Sequence, residues 1–213
     1  PLKDLTAVSF LAAYPYALVV PATLPVTDVR GLVEYIRKNP RTVSFSSAGT
    51  GSVNHLAGEW FNSIIKLDII HVPYKGDAPA LTDLIAGRVQ MGFNTLTTSM
   101  PQVKAGKLRA LAVTSQSQTS LAPGLPTMVE LGYSGFVVEP WNGVFGPANM
   151  PADLTLRINQ AVNEILARPA VQAKIAETGQ YSVIESPESM RRRMEQQTAR
   201  WREIARAANV QPE

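Results

Sequence analysis

The feature that most constrains the fold is the alternation of short apolar runs with segments whose apolar residues recur at helical spacing. The clearest helical segment runs from Val53 to Ile65, where the apolar side chains fall on one face. Strand-length apolar runs on both sides of such a segment are typical of βαβ units. The sequence therefore predicts an α/β fold with mostly parallel sheets flanked by helices.

Element boundaries follow from the same pattern and from the Gly, Pro and capping residues between the runs. Strands are predicted at 7–12, 17–20, 42–46, 69–73, 89–93, 108–114 and 137–145. Helices are predicted from about Val26 to Asn39, at 53–65, 78–86 and 100–105, and after Pro151, Pro169 and Ser186. The segment 115–135 is rich in Ser, Gly and Pro and is predicted to be a long connection.

Composition narrows the class of protein. The chain has 213 residues, of which 45% are hydrophobic and 17% charged, which suits a folded core and argues against disorder. It contains no cysteine, so disulfides, thiolate nucleophiles and zinc–sulfur sites are excluded. No apolar run approaches the roughly 20 residues that span a bilayer, and we expect no direct membrane insertion. Because Pro1 is an unusual start for an open reading frame, we expect a processed or truncated product, whose lack of a signal peptide says little.

The net charge of +3 does not by itself predict a nucleic-acid partner. The densest basic stretch, Arg191–Arg193, lies in a predicted helix that also carries Glu188 and Glu195. Nucleic-acid binding needs a concentrated basic face. We therefore interpret this stretch as a solvated helix face and expect no nucleic acid to bind.

A strand, a Gly-rich turn and a helix follow one another at 46–55. In a parallel sheet, ligands bind at the carboxyl ends of strands, where a helix N-terminus offers unpaired N–H groups and the positive end of its dipole to an anion. Gly49 and Gly51 would let the backbone approach a ligand closely. Neighbouring hydroxyls would add donors, so the turn suits a carboxylate. A plain tight turn capped by Thr50 or Ser52 is the alternative.

This turn does not match a nucleotide-binding loop. It lacks the Gly-Lys-Ser/Thr ending of a phosphate loop, and it has too few glycines for the dinucleotide fingerprint. No acidic residue ends the following strand, as that fingerprint would require. We therefore predict no cofactor.

The histidines raise the questions of catalysis and metal binding. His55 permits a hydrolase interpretation with Ser46, Ser47 or Ser52, but neither a Gly-x-Ser-x-Gly elbow nor an orienting Asp accompanies it. His71 lies inside an apolar run and is interpreted as a core histidine with satisfied hydrogen bonds. The two histidines are far apart in the sequence, which does not predict a metal site. We expect the protein not to be an enzyme, and we name no catalytic residue.

Two further strand ends should meet the Gly-rich turn at one edge of the sheet. The segments 74–76 and 94–95 each end a predicted strand, and parallel strands bring their carboxyl ends together. The edge then offers backbone donors, hydroxyls, an amide, a phenol and one cation without an acid–base pair, as a binding site does. His55 is expected to support the loop. The candidate ligand-binding residues are Ser47, Ala48, Gly49, Thr50, Gly51, Ser52, His55, Tyr74, Lys75, Gly76, Asn94 and Thr95.

Motifs along nearly the whole chain form a recognisable series. They lie at 14–15 with 18–20, 46–52 with 55–57, 72–76 with 78–80, 106–115, 126–128 with Glu130 and Gly132, and 141–143 with 146–148. In their order and residue types they resemble the Bug/TctC family, the extracytoplasmic solute-binding receptors of tripartite tricarboxylate transporters.

The resemblance implies a periplasmic-binding-protein fold of type II, with two lobes and a ligand cleft. It implies a complete lobe at 16–138, a remnant of the other lobe at 1–15, and the C-terminal part of that lobe with its closing helices at 139–213. The family's chains run to about 300 residues, the size of two ordinary domains. The opening strands of the first lobe are therefore expected to be missing from this sequence. Without them, 141–213 would expose apolar surface.

The resemblance also implies a function. The protein would be a periplasmic receptor that captures a small carboxylate-bearing solute and delivers it to the membrane permease subunits of a transporter. The implied ligands include dicarboxylates, tricarboxylates, acidic amino acids and aromatic acids. A second hypothesis is the effector-sensing domain of a regulator, because the same fold serves sensors. The third is a small-molecule serine hydrolase that uses Ser47 or Ser52 with His55.

Overall fold

The computed structural model describes residues 3–207 and 210. The chain forms two compact units: the terminal unit, made of Pro1–Tyr14 and Pro140–Arg202, and the central unit, made of Pro15–Glu139 and Glu203–Glu213. The strands are β1 (Leu5–Ala13), β2 (Tyr16–Pro21), β3 (Ser44–Ser47), β4 (Ile70–Pro73), β5 (Met91–Thr95), β6 (Leu108–Val113) and β7 (Trp141–Pro147). The helices are α1 (Val29–Lys38), α2 (Val53–Ile65), α3 (Asp77–Ile85), α4 (Leu96–Lys104), α5 (Ala152–Leu166), α6 (Pro169–Glu177) and α7 (Pro187–Ala207).

The central unit is built on a five-stranded sheet in the order β4–β3–β5–β2–β6. β3 pairs in parallel with β4 and β5, whereas β2 pairs antiparallel with β5 and β6. Four strands therefore run in one direction and β2 runs against them. The predicted α/β class with a mostly parallel sheet is confirmed, and the reversed strand makes the sheet a mixed one.

Helices cover both faces of this sheet. A Cβ atom on Gly92 of β5 would lie 3.3 Å from the Leu84 side chain of α3. The next residue of β5, Phe93, faces the other way, because successive strand residues point to opposite faces. Its ring meets Phe61 of α2 edge to face, with centroids 5.9 Å apart. β5 is thus packed between α3 on one face of the sheet and α2 on the other.

Capping residues decide where two helices begin. α1 begins directly after Asp28, whose carboxylate accepts the N–H of Gly31 at 2.7 Å, so the start predicted near Val26 was too early. α4 begins before the predicted segment 100–105, because Thr95 caps it. The helix predicted at 53–65 is confirmed as α2.

The strand predicted at 137–145 is displaced in the structure. β7 begins at Trp141, and residues 137–140 do not belong to a strand. Pro140 has no N–H for a sheet to use. The N–H of Val138 instead donates to the carbonyl of Thr114 at 3.0 Å. The apolar run predicted as one strand is therefore part connection and part β7.

In the terminal unit, β1 and β7 form a two-stranded antiparallel sheet. Met190 and Met194 of α7 form a buried cluster with Ala7 of β1, and Trp141 packs against it. The large apolar side chains of this unit that are more than a third exposed include Leu154, Leu156, Ile165, Tyr181, Val183 and Ile184. Apolar surface of this kind was expected for 141–213.

Candidate functional site

The turn Ala48–Ser52 joins β3 to α2 at the carboxyl edge of the sheet, and we call it the glycine loop. Gly49 has φ of 133° and Gly51 has φ of 79°, a backbone region that strongly favours glycine. A Cβ on Gly51 would meet nothing within 4 Å. Glycine is therefore favoured at position 51 by its backbone conformation alone, and the space next to it is open.

The N-terminus of α2 carries no side-chain cap. Ser52 occupies the capping position, but its hydroxyl donates to the carbonyl of Gly49 at 2.5 Å. The alternative of a turn capped by Ser52 is therefore not what the structure contains. Thr50, at the tip of the loop, is exposed. The first turn of α2 thus keeps the electropositive end that an anion needs.

The N–H groups of the glycine loop are largely used inside the protein. The N–H of Ala48 donates to Asn54 Oδ1 at 3.2 Å, and that of Gly49 donates to Ser47 Oγ at 3.2 Å. The N–H of Gly51 donates to His55 Nδ1 at 3.0 Å. These bonds give the loop its shape. An anion at this loop would therefore find its donors in the first turn of α2 and in the Thr50 hydroxyl.

The two histidines are neighbours in space. The rings of His55 on α2 and His71 on β4 stack with centroids 3.7 Å apart and planes 15° apart. His71 Nε2 lies 2.6 Å from Ser47 Oγ. The predicted hydrogen bond of His71 is therefore present, but the residue is half-buried rather than part of the core, and it stacks on His55. The separation of the two histidines in the sequence did not indicate that they are close in space. Within residues 3–207, no group of three or more His, Asp or Glu side chains could hold a metal ion.

Burial sets the charge of both histidines. It lowers the pKa of His55. Burial and the nearby His55 together lower the pKa of His71 to about 4. Both rings are therefore neutral at neutral pH, and a carboxylate at the glycine loop would be bound by neutral donors.

The geometry does not support a serine nucleophile activated by His55. Ser47 Oγ contacts His71 instead, and Ser52 Oγ donates to a backbone carbonyl. Ser47 is fully buried. A histidine with a pKa near 4 is also a weak base at neutral pH. The chemistry available here is hydrogen bonding.

The segment Tyr74–Gly76, which follows β4, is hydrogen-bonded to the glycine loop. The N–H of Gly76 donates to the carbonyl of Ala48 at 3.1 Å. The phenol of Tyr74 donates to Asp83 Oδ2 at 2.8 Å, so its hydroxyl is already engaged with α3. Burial and this bond raise the pKa of Tyr74. Lys75 is exposed and is the cation of this edge.

Asn94 and Thr95 end β5, next to β3 in the sheet. Thr95 accepts the N–H of Thr98 at 3.3 Å as the cap of α4. Asn94 is buried, and its Oδ1 has no hydrogen-bond partner among the described residues. Ser46 Oγ, also buried, has none there either. The sheet order β4–β3–β5 thus places the three predicted segments side by side.

Two residues that no motif marks, Asn54 and Asp77, support the glycine loop. Asn54 accepts the N–H of Ala48 and donates to Asp77 Oδ1 at 3.0 Å. Asp77 begins α3, so this contact ties the glycine loop to a second helix. The sequence signals Asn54 only as a polar residue next to the apolar stripe of α2, on the side that the structure buries. Its partner is too distant in the chain to have been inferred.

The sequence also matches a known protein family. The sequence model of the tripartite tricarboxylate transporter family receptor, TctC, matches residues 1–210. The chain belongs to the TctC family. This is a family of solute-binding receptors and not of enzymes. The resemblance drawn from the motifs is thereby confirmed.

Curated relatives of this TctC-family chain cover nearly all of it. A protein of Pseudomonas sp. strain P51, named as a UPF0065 protein in the tcbD-tcbE intergenic region, is 35% identical over 203 residues, which are 95% of this chain and 60% of that protein. Protein BugT of Bordetella pertussis is 32% identical over 205 residues, covering 96% and 63%. The chain therefore spans somewhat over half the length of the curated relatives it matches.

Solved structures show the same fold. An R. palustris protein solved with adipate superposes with a TM-score of 0.88 at 35% identity, over 100% of this chain and 71% of that one. MatC from Rhodopseudomonas palustris, with bound malate, gives a TM-score of 0.82 at 26% identity, over 96% and 70%. The periplasmic binding protein BugD gives 0.83 at 29% identity, over 98% and 71%. Among the described residues of our chain, no helix is long and apolar enough to cross a membrane.

Proposed function

We propose that this chain is the ligand-binding part of an extracytoplasmic receptor that captures a small carboxylate-bearing solute for uptake by a tripartite tricarboxylate transporter. The observation that carries the proposal is the glycine loop before an N-terminus of α2 that has no side-chain cap. A helix start of this kind binds anions through its N–H groups and its dipole. Membership of a receptor family supports capture of a solute, without turnover, as the function of that site.

The proposed solute is a dicarboxylate. Related proteins have been solved with adipate and with malate, and both ligands carry two carboxylates. One carboxylate would bind at Thr50 and the first turn of α2. Lys75, exposed on the neighbouring segment, would add a positive charge to the same edge. Gly49 and Gly51 would contribute the shape of the loop, because their N–H groups already donate to Ser47 and His55.

The proposed function also implies a cellular location and protein partners. The receptor would work in the periplasm and deliver its solute to the membrane permease subunits of the transporter. We also propose the lobe boundaries that the resemblance implies, with one complete lobe at 16–138 and the other built from 1–15 and 139–213. No cofactor is needed for such a receptor.

Gly51→Val tests the assignment of the loop. We expect the variant to bind adipate at least about tenfold more weakly, because a β-branched residue is strained by about 1–2 kcal/mol at positive φ and its side chain would fill the approach to the loop. Isothermal titration calorimetry measures the difference.

Gly106→Val is the matched control. Gly106 also has a positive φ, of 68°, and its Cβ would also meet nothing within 4 Å. It precedes β6 and therefore lies at the opposite, amino edge of the sheet. This variant should lose similar stability and keep its affinity for adipate. Equal affinities for the two variants would move the site away from the glycine loop.

A further inference from the structure

We propose that His55 is a positioning residue that stabilises the glycine loop only while its ring is neutral, so that acidification releases the loop and weakens carboxylate binding. The inference about the loop rests on contacts alone. The inference about binding rests in addition on the function proposed above. It assigns to His55 a role that acts through the backbone of Gly51, and it gives the receptor a pH dependence.

The first step is the direction of one hydrogen bond. The N–H of Gly51 donates to His55 Nδ1 at 3.0 Å, so Nδ1 must carry a lone pair. A proton on Nδ1 would bring two donors face to face and remove the bond. Gly51 has φ of 79°, and a Cβ there would meet nothing within 4 Å, so the bond to His55 restrains a position that side-chain packing does not.

The second step is the environment of His55, whose pKa is lowered by burial and whose ring stacks on His71. His71 lies against it with ring centroids 3.7 Å apart, and Phe45 of β3 stacks on His71 with centroids 4.9 Å apart. Two parallel rings at this distance cannot both carry a charge without strong repulsion. His71 is also bonded to Ser47, the residue before the loop, so the pair contacts both ends of the loop region.

The third step concerns the charged groups that surround His55 and His71. From α2, Glu59 Oε1 lies 3.8 Å from His55 Nε2 and favours a charged ring. From β4 comes the ring of His71, whose pKa is lowered to about 4, and from β3 come the uncharged Phe45 and Ser47. From α3, Asp77 contacts Asn54 and not the histidines. Burial raises the pKa of Glu59, which weakens its pull at mildly acidic pH.

The sign of the pH effect follows. Burial lowers the pKa of His55, so the neutral ring and the loop bond are present at neutral pH. Their contribution to stability declines as the pH falls below the ordinary histidine value of about 6.5, and the bond itself is lost as the pH passes through the lowered pKa of His55. If His55 contacted the carboxylate directly, protonation would instead add a positive charge and strengthen binding. The two roles therefore predict opposite changes in affinity on acidification.

The test compares three full-length forms of this chain. His55→Asn keeps an acceptor near the position of Nδ1 but cannot titrate, and His55→Leu removes the acceptor. The first readout needs no ligand. It is the protection of the Gly51 amide against hydrogen exchange, measured by NMR from pH 7.5 to pH 4.5 and corrected for the intrinsic exchange rate. In the unchanged protein, protection should fall about tenfold, the size of one ordinary hydrogen bond. It should stay constant in His55→Asn and be low throughout in His55→Leu.

The second readout is the dissociation constant of adipate by calorimetry over the same pH range. Adipate itself takes up protons there, so the informative quantity is the ratio between the unchanged protein and His55→Asn at each pH. We expect affinity in the unchanged protein to fall about tenfold relative to that variant. Constant Gly51 protection in a folded protein, or a relative gain of affinity in acid, would overturn the proposal. Loss of protection without adipate binding at any pH would leave the loop role standing and count against the proposed ligand.

Discussion

Thr114→Val is expected to lower the free energy of unfolding of the central unit by about 2–4 kcal/mol, because it removes two buried hydrogen-bonding functions at once. The Thr114 side chain is fully buried. Its Oγ1 accepts the N–H of Tyr16 at 2.9 Å and donates to the carbonyl of Val138 at 2.6 Å. This hydroxyl therefore joins the start of β2, the end of β6 and the connection before β7. Valine has the same shape and provides neither bond.

Urea unfolding followed by circular dichroism measures the effect, with Thr114→Ser as the matched control. Serine keeps the hydroxyl and loses one methyl group, so we expect it to cost about 1 kcal/mol. If valine were tolerated as well as serine, the hydroxyl would not stabilise this junction. The connection 137–140 would then be held at this point by the backbone bond from the Val138 N–H to the Thr114 carbonyl.

Gly58→Ala is expected to destabilise the protein by about 1–3 kcal/mol, although alanine is the better helix former. Gly58 lies in α2 directly over β3. A Cβ there would come within 2.1 Å of the Phe45 ring, which is fully buried. Phe45 cannot move freely, because it stacks on His71 with centroids 4.9 Å apart. We therefore expect the variant to disturb the histidine pair as well as the core.

Gly31→Ala is the control with the opposite sign. Gly31 also lies in a helix, and its Cβ would make only ordinary contacts, 3.5 Å from Asp28 Oδ1 and 4.0 Å from Val26 Cβ. We expect this change to stabilise the protein by up to about 1 kcal/mol through helix propensity. Both variants are measured by the same urea titration. A gain in stability for Gly58→Ala would contradict the close packing of α2 on β3.

Local patterns predicted much of the central unit. The apolar face of 53–65 fixes α2, because only a helix brings these side chains to one side. The run at 17–20 correctly predicts a strand, but a fully apolar strand carries no sign of its direction. That β2 runs against its neighbours is a property of the sheet, which no local pattern encodes.

The candidate site, too, could be predicted only as far as local sequence patterns determine it. The position of the glycine loop could be predicted from Gly49 and Gly51 and from the helix that follows. What could not be predicted is that their N–H groups donate to side chains of the protein itself. The stack of His55 on His71 likewise depends on the pairing of β3 with β4 and on the packing of α2 over β3. Contacts made by tertiary packing determine which groups of a loop remain for a ligand.

A calorimetric titration of this chain with adipate at pH 7.5 tests the central claim most directly. The proposed function predicts a saturable heat with one binding site per chain. It also predicts that a hundredfold excess of adipate over its dissociation constant raises the free energy of unfolding by about 2.7 kcal/mol. Gly106→Val should bind adipate as the unchanged protein does, and Gly51→Val should bind at least about tenfold more weakly. A folded protein that gives no heat and no stabilisation with either adipate or malate at millimolar concentration would contradict the account.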